Sequence, residues 1–243
     1  MEIHKPKPVH SWRELLTEIG VIVIGVAIAL AGEQAVDALH DHSRATEARA
    51  GIRAEIANNL RLLNKRAATE ACIEKRLDEV SALIAASAAG KLPEEMIWIG
   101  NPEAYAMPDS RYKAATQSAA FSLFGEQEQA SYARFYAFFA TYFQLEMDEQ
   151  KAWADLRIIE DRPAFTAPVD STLRSAIKQA RLNRHQIQRI RAQLMVTASD
   201  IGLAPDPTGM TPKSVCLPLH TPRAEAVKLI VRDRLDKGTY DEP

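Results

Sequence analysis

Residues 19–32 read IGVIVIGVAIALAG, an uncharged apolar run held between Glu18 and Glu33. No other segment of the 243-residue chain is hydrophobic over such a length. Crossing a hydrocarbon core takes about 20 helical residues. The run alone supplies about 14, or roughly 21 Å at 1.5 Å per residue. Its flanks add the missing length: Leu15 and Leu16 come before it, and Ala35, Val36, Ala38 and Leu39 after it. Glu18 and Glu33 then sit at headgroup depth, where carboxylates snorkel rather than act as ion sites. Upstream, Ser11-Trp12-Arg13-Glu14 fits a capping box, so the helix is expected to start at Trp12, which also suits an interfacial anchor.

A transmembrane helix is therefore expected over 12–39, and two other readings stay open. Lys5, Lys7 and Arg13 with Ala29-Leu30-Ala31 resemble a cleaved signal peptide. A run of this length also suits a buried core helix. Glu2, Glu14 and Glu18 dilute the positive region, and the helical pattern continues past Ala31, which weighs against cleavage. Glu33 stands where a lipidated cysteine would be needed, so lipidation is excluded. Lys5, Lys7 and Arg13 before the run, against Arg44 and Arg49 after it, favour a cytoplasmic N-terminus. In a bacterium the bulk of the chain would then lie in the periplasm, anchored in the inner membrane. Gly25, Ala27, Ala29 and Ala31 place small residues at the spacing that helix pairing in lipid prefers.

The remainder reads as helix in water. The chain is 47% hydrophobic and 26% charged, and its net charge of −2 gives no general argument for nucleic acid. From 33 to about 87 there is no proline and one glycine, Gly51. Ile52, Ile56, Leu60, Leu63, Ala67, Ile73, Leu77, Val80 and Ile84 recur at helical spacing, with a weak joint expected at 64–69. Gly90 and Pro93 end this helix, and a proline-containing loop to Asp109 tucks Trp98 onto it. A short helix to about Leu123 follows, capped by Asp109 or Ser110. A long one over 126–161 carries an aromatic stripe: Tyr132, Phe135, Tyr136, Phe139, Tyr142 and Phe143. A last long helix, capped by Asp170 or Ser171, reaches about Leu203, and a proline-rich tail carries a short helix after Thr221. The expected fold is all-α: a transmembrane helix continuing into an antiparallel bundle of three long helices plus short ones. Its parts are a short cytoplasmic N-terminus (1–11), the span (12–39), the bundle (40–203) and the tail (204–243).

Several features invite a chemical reading. His40 and His42 are two apart on a helix and point to different faces, so they do not chelate one ion. Phe135, Phe139, Phe143 and Trp98 form a candidate ligand pocket, with core packing as the simpler account. Arg174, Lys178, Arg181, Arg184, Arg189 and Arg191 on the last long helix suit phosphates or headgroups, or more simply a solvated face paired with acids such as Glu146 and Glu149. Glu126, Glu128, Glu146, Asp148 and Glu149 are read as solvated, with no pair placed for acid–base work. Cys72 and Cys216 would form a disulfide in an oxidising compartment, or remain buried thiols otherwise. Phosphate-loop, dinucleotide, zinc-protease and nucleophile-elbow motifs are absent. No metal, cofactor or catalytic residue is expected.

The opening SWRELLTEIGVIVIGVAIALAGEQAV, followed by RAEIANNL, resembles a group of uncharacterised proteobacterial proteins. These carry a short N-terminal membrane helix of the form E-I-x-x-I-x-x-G-x-x-I-A-L leading into a helical soluble region. The similarity extends to CIEKRL at Cys72 and to 111–127. It implies a single-pass envelope protein and assigns no activity. The expected role is a non-catalytic interaction or scaffolding module. Its partners would be the bilayer and either a second copy or another envelope protein. A ligand-binding or sensory module is the rival reading.

Overall fold

The computed structural model describes residues 12–89, 98–161, 166–204 and 214–236. The expectations for 1–11, for Gly90 and Pro93 and for 205–213 lie outside them. Every regular element among the described residues is helical. They are α1 (Trp12–Ala67), α2 (Glu70–Ala88), α3 (Ser110–Gln117), α4 (Glu126–Leu156), α5 (Ala167–Asp200) and α6 (Arg223–Asp236), with 3-10 turns at Phe121–Leu123, Arg157–Asp161 and Ser214–Cys216.

One 56-residue helix, α1, holds both the apolar run and the first packed segment of the bundle. Its first half is long and apolar enough to cross a membrane, with a mean hydropathy of 2.3 over its most apolar 18-residue window and none of that window buried. Burial begins at Ala45. From there a seam of alternating four- and three-residue steps runs through Ala45, Arg49, Ile52, Ile56, Asn59, Leu63 and Arg66. The same step continues across the turn at 68–69 into α2 as Glu70, Ile73, Leu77, Val80, Ile84 and Ser87. Preserved phase across the turn keeps one face inward on both helices, as coiled-coil packing requires. The Thr69 hydroxyl closes the turn by donating to the Arg66 carbonyl at 2.8 Å.

On α4 the matching seam is Tyr132, Phe135, Phe139, Tyr142, Glu146, Glu149, Trp153 and Leu156, all buried. Antiparallel to it, α5 supplies Leu173, Ile177, Ala180, Ile187, Leu194 and Ala198. The core falls into two halves. One gathers Ile52 to Leu63 with Phe135, Phe139, Ile187 and Leu194. The other gathers Ile73 to Ile84 with Trp153, Leu156, Leu173 and Ile177. Several ends differ from expectation. α5 starts at Ala167 after the N-cap Thr166, because Pro168 is tolerated only in a first turn. α3 stops at Gln117, leaving Phe121–Leu123 as a separate turn, and α6 begins one residue past Pro222.

Long-range side chains from α1 finish the ends of two other helices. α5 ends in a Schellman turn: Leu203 N–H reaches the Ala198 carbonyl at 2.9 Å and Gly202 N–H the Ser199 carbonyl at 2.9 Å. Gly202 sits at φ +68°, where side chains are disfavoured. The Arg53 guanidinium donates to the Ile201 carbonyl at 2.6 Å, placing a cation on the negative end of the helix. α3 receives no side-chain bond from its N-cap Asp109. Instead the buried Glu55 carboxylate accepts from Arg111 N–H at 2.8 Å, Tyr112 N–H at 3.3 Å and the Tyr136 hydroxyl at 2.6 Å.

Removing that carboxylate, which also accepts from the Ser110 hydroxyl at 3.3 Å, strands four donors in a largely buried site. Glu55→Ala is expected to cost about 2–4 kcal/mol, and Glu55→Gln less, because one acceptor oxygen survives. Thermal unfolding of the full chain in mild detergent, followed by far-UV circular dichroism, reads the order of the two.

Candidate functional site

Between the two apolar halves lies a layer of buried charge. Arg66, 1% exposed, donates from Nη2 to both oxygens of Glu149, at 2.9 and 2.7 Å; Glu149 is 0% exposed. Its Nη1 reaches Glu70 at 2.9 Å. Glu70 in turn accepts from Arg184 Nε at 3.0 Å and Gln188 Nε2 at 2.9 Å, and Arg184 also pairs with Glu74. Glu146 lies one turn before Glu149 on α4, 1% exposed, and its Oε1 has no hydrogen-bond partner among the described residues. The adjacent Tyr142 hydroxyl is in the same position.

The electrostatics follow from burial and pairing. Desolvation opposes the charge on Arg66, yet the attraction of Glu149 and Glu70 outweighs it and raises the guanidinium pKa. Burial raises the Glu149 carboxyl, and the Arg66 charge and hydrogen bonds offset this only in part. Glu146 keeps the burial penalty with less compensation: its carboxyl is pushed up to about 7, first by desolvation, with Arg66 pulling down and Glu149 pushing up. Burial likewise moves the Tyr142 phenol upward, so it stays protonated. The layer therefore holds four ion pairs, of Arg66 with Glu149 and Glu70 and of Arg184 with Glu70 and Glu74, beside one acid that burial holds well above the ordinary carboxylate range.

This corrects the expectation that Glu146 and Glu149 line a solvated face. Side-chain type argued for surface, but both occupy inward seam positions of α4. Three of the six basic residues of α5 pair with acids, though with other ones: Arg174 with Asp170, Arg181 with Asp78, and Arg184 with Glu70 and Glu74. Arg66 was not singled out in the sequence and Arg76 only as a neighbour of Cys72; their inward phase beside Ile73, Leu77 and Val80 is the signal that marks them.

A second cluster pins the tail. Cys72 on α2 is joined to Cys216 by a disulfide, with Cα atoms 4.9 Å apart across 144 residues of sequence. Beside it Arg76, 2% exposed, donates to the carbonyls of Trp98, Ile99 and Leu217 and pairs with Glu79 at 2.9 Å. Burial lowers the Arg76 pKa despite the Glu79 pair. The Trp98 indole donates to the Ser214 carbonyl at 3.1 Å. Gly100, at φ +66°, lets the chain pass where a Cβ would stand 2.8 Å from that same carbonyl.

Phe135, Phe139, Phe143 and Trp98 do not come together. Phe135 and Phe139 are packed in the aromatic half of the core, Phe143 is exposed, and Trp98 lies with the tail cluster. Two open grooves between α4 and α5 are lined by other residues. One, of about 530 Å³, lies along Asp148, Lys151, Asp155, Ser171 and Ser175; the other, of about 210 Å³, lies along Thr141, Leu145, Arg189 and Ile190. Gly25, Ala27, Ala29 and Ala31 all stand in the exposed half of α1. On a continuous helix, residues two apart point nearly opposite ways. Gly25 and Ala29 therefore make one stripe, which Gly32 extends, and Ala27 and Ala31 make another. Among the described residues no group of three or more His, Cys, Asp or Glu is placed to hold a metal.

No family model matches the chain, and no curated protein or solved structure matches it either.

Glu146 carries a pH dependence whose sign is fixed. Its folded pKa of about 7 exceeds the ordinary 4.5, so the folded state binds more protons between those values. Stability is full below about pH 4.5 and falls as pH rises through about 7, by about 3 kcal/mol in all. Glu146→Gln should flatten most of that slope, and Glu149, also raised, leaves the remainder. Denaturant midpoints taken from pH 5 to 8 measure it, and an unchanged slope would remove Glu146 as its source. Glu149→Ala leaves Arg66 with Glu70 as its one remaining acid and should cost up to about 3–5 kcal/mol near neutral pH.

Proposed function

We propose that this chain is a single-pass protein of the bacterial inner membrane whose periplasmic helical bundle is a non-catalytic interaction or scaffolding module. The observation that carries this is the course of α1. The helix leaves the unburied apolar run and enters the bundle core with no break, so anchor and module form one rigid element. The Cys72–Cys216 disulfide supports an oxidising compartment, and Lys5, Lys7 and Arg13 support a cytoplasmic N-terminus. The buried charges engage one another inside the core, which suits a structural role. Kinship with the uncharacterised proteobacterial single-pass proteins belongs to the same proposal. So does self-association in the bilayer through Gly25 and Ala29 or Ala27 and Ala31; a Cβ placed on Gly25 would meet no other side chain or neighbouring element within 4 Å.

Full-length protein should remain in the membrane pellet after alkaline carbonate extraction, with its mass intact. Release of a soluble form beginning near Gly32 would instead establish a cleaved signal peptide. Without reductant, thiol reagents should leave Cys72 and Cys216 unlabelled in cells. Cys72→Ser opens a loop closed over 144 residues and should lower stability by at most about 5 kcal/mol on loop-entropy grounds.

A further inference from the structure

We propose that the uncharged segment around Leu123 rests on the lipid headgroups, making the end of the bundle nearest the apolar run a second membrane contact. The proposal rests on α1 spanning the bilayer and asks what that span does to the domain above it. No described side chain from Trp12 to Arg44 is buried. That free helix is about 33 residues, or roughly 50 Å at 1.5 Å per residue. A bilayer with its headgroups is about 40–45 Å thick. With Trp12 at one interface, the opposite surface falls within about two turns of Ala45, where the bundle begins. An unbroken helix therefore fixes the bundle's end within about 10 Å of that surface.

The residues waiting there suit a neutral surface. The Phe124 ring lies 4.9 Å from the Arg49 guanidinium, and Phe124 and Ala115 share a cluster with Ala45. The Phe121–Leu123 turn therefore sits level with the first buried turn of α1. From Ala114 to Gly125 the chain carries no charge. Ala119, Ser122 and Gly125 are exposed, and Leu123 is 38% exposed. Arg49 is engaged by Glu128 at 2.7 Å and Arg44 by Asp41 at 3.4 Å, while Arg111, three residues before the segment, lies along Gly51 of α1. Glu47, Glu126 and Asp200 add exposed acids at this end. The contact is thus apolar and hydroxyl in character, and anionic lipid should not strengthen it.

The test uses the full chain in phosphatidylcholine vesicles containing a headgroup spin-labelled lipid, with a fluorophore on a single introduced thiol. With the native disulfide intact, Leu123→Cys, Leu39→Cys and Thr172→Cys are labelled separately. Quenching at 39 and 123 with none at 172 is expected, and Ser122→Cys should repeat the result for 123. Replacing part of the lipid with phosphatidylglycerol should leave it unchanged. Quenching at 39 alone overturns the contact and leaves the anchor standing. No quenching at 39 defeats the anchor and the contact together. Quenching at 123 that appears only with anionic lipid overturns the apolar contact.

Discussion

The bidentate pair between Arg66 and Glu149 is the constraint on which the bundle's arrangement depends. Three helices with apolar side chains at three- and four-residue steps can slide past one another by a heptad and still bury a comparable surface. Buried charges remove that freedom. A shift of seven residues on α4 would place Arg66 against Tyr142 or Leu156 and leave the buried guanidinium with Glu70 as its one acid. Breaking a buried pair costs about 3–5 kcal/mol, although keeping it adds little beyond a well-packed apolar layer. The layer therefore acts on register more than on net stability. Its place between the two apolar halves lets one polar interruption index both.

That indexing sets where everything else falls. With α4 in register, Tyr136 meets Glu55, and Glu55 then caps α3. With α5 in register, its last carbonyls meet Arg53. Both partners are on α1, so the helix that carries the apolar run also holds the ends of two others. At the far end, the tail is held by three different interactions: a covalent bond, a buried arginine with three carbonyls, and an indole hydrogen bond. The tail's apolar share of the core is small, with Val215 buried and Leu219 packed beside it. Directional polar bonds and a covalent link add to that packing.

Some of this was legible in the residues and some was not, for a physical reason. Helix content, the joint between α1 and α2, the long helices and most inward aliphatics follow from periodicity, which is local. The aromatic stripe was legible as core, but its reading as one pocket with Trp98 was not supportable. Phe143 is one residue past the seam, and Trp98 belongs to the other half of the molecule. Glu146 and Glu149 were misplaced because hydropathy weighs each residue alone, and a lone glutamate belongs in water. Their partner is 83 positions away for Glu149, beyond any window.

The phase of the seam nevertheless carried the missing information. Counting from Tyr132 by threes and fours lands on Glu146 and Glu149 before reaching Trp153. The same count from Ala45 lands on Arg66 and Glu70 before Ile73. Acids on one helix and an arginine with a glutamate on another, each set between apolar layers, are complementary in charge and in phase. Charge at a seam position costs too much to persist unpaired. Its presence on two helices is therefore itself a sign that they meet there. The buried ionic layer was thus written in the residues that interrupt the apolar pattern, and a count that follows phase through those interruptions recovers both the pair and the register it sets.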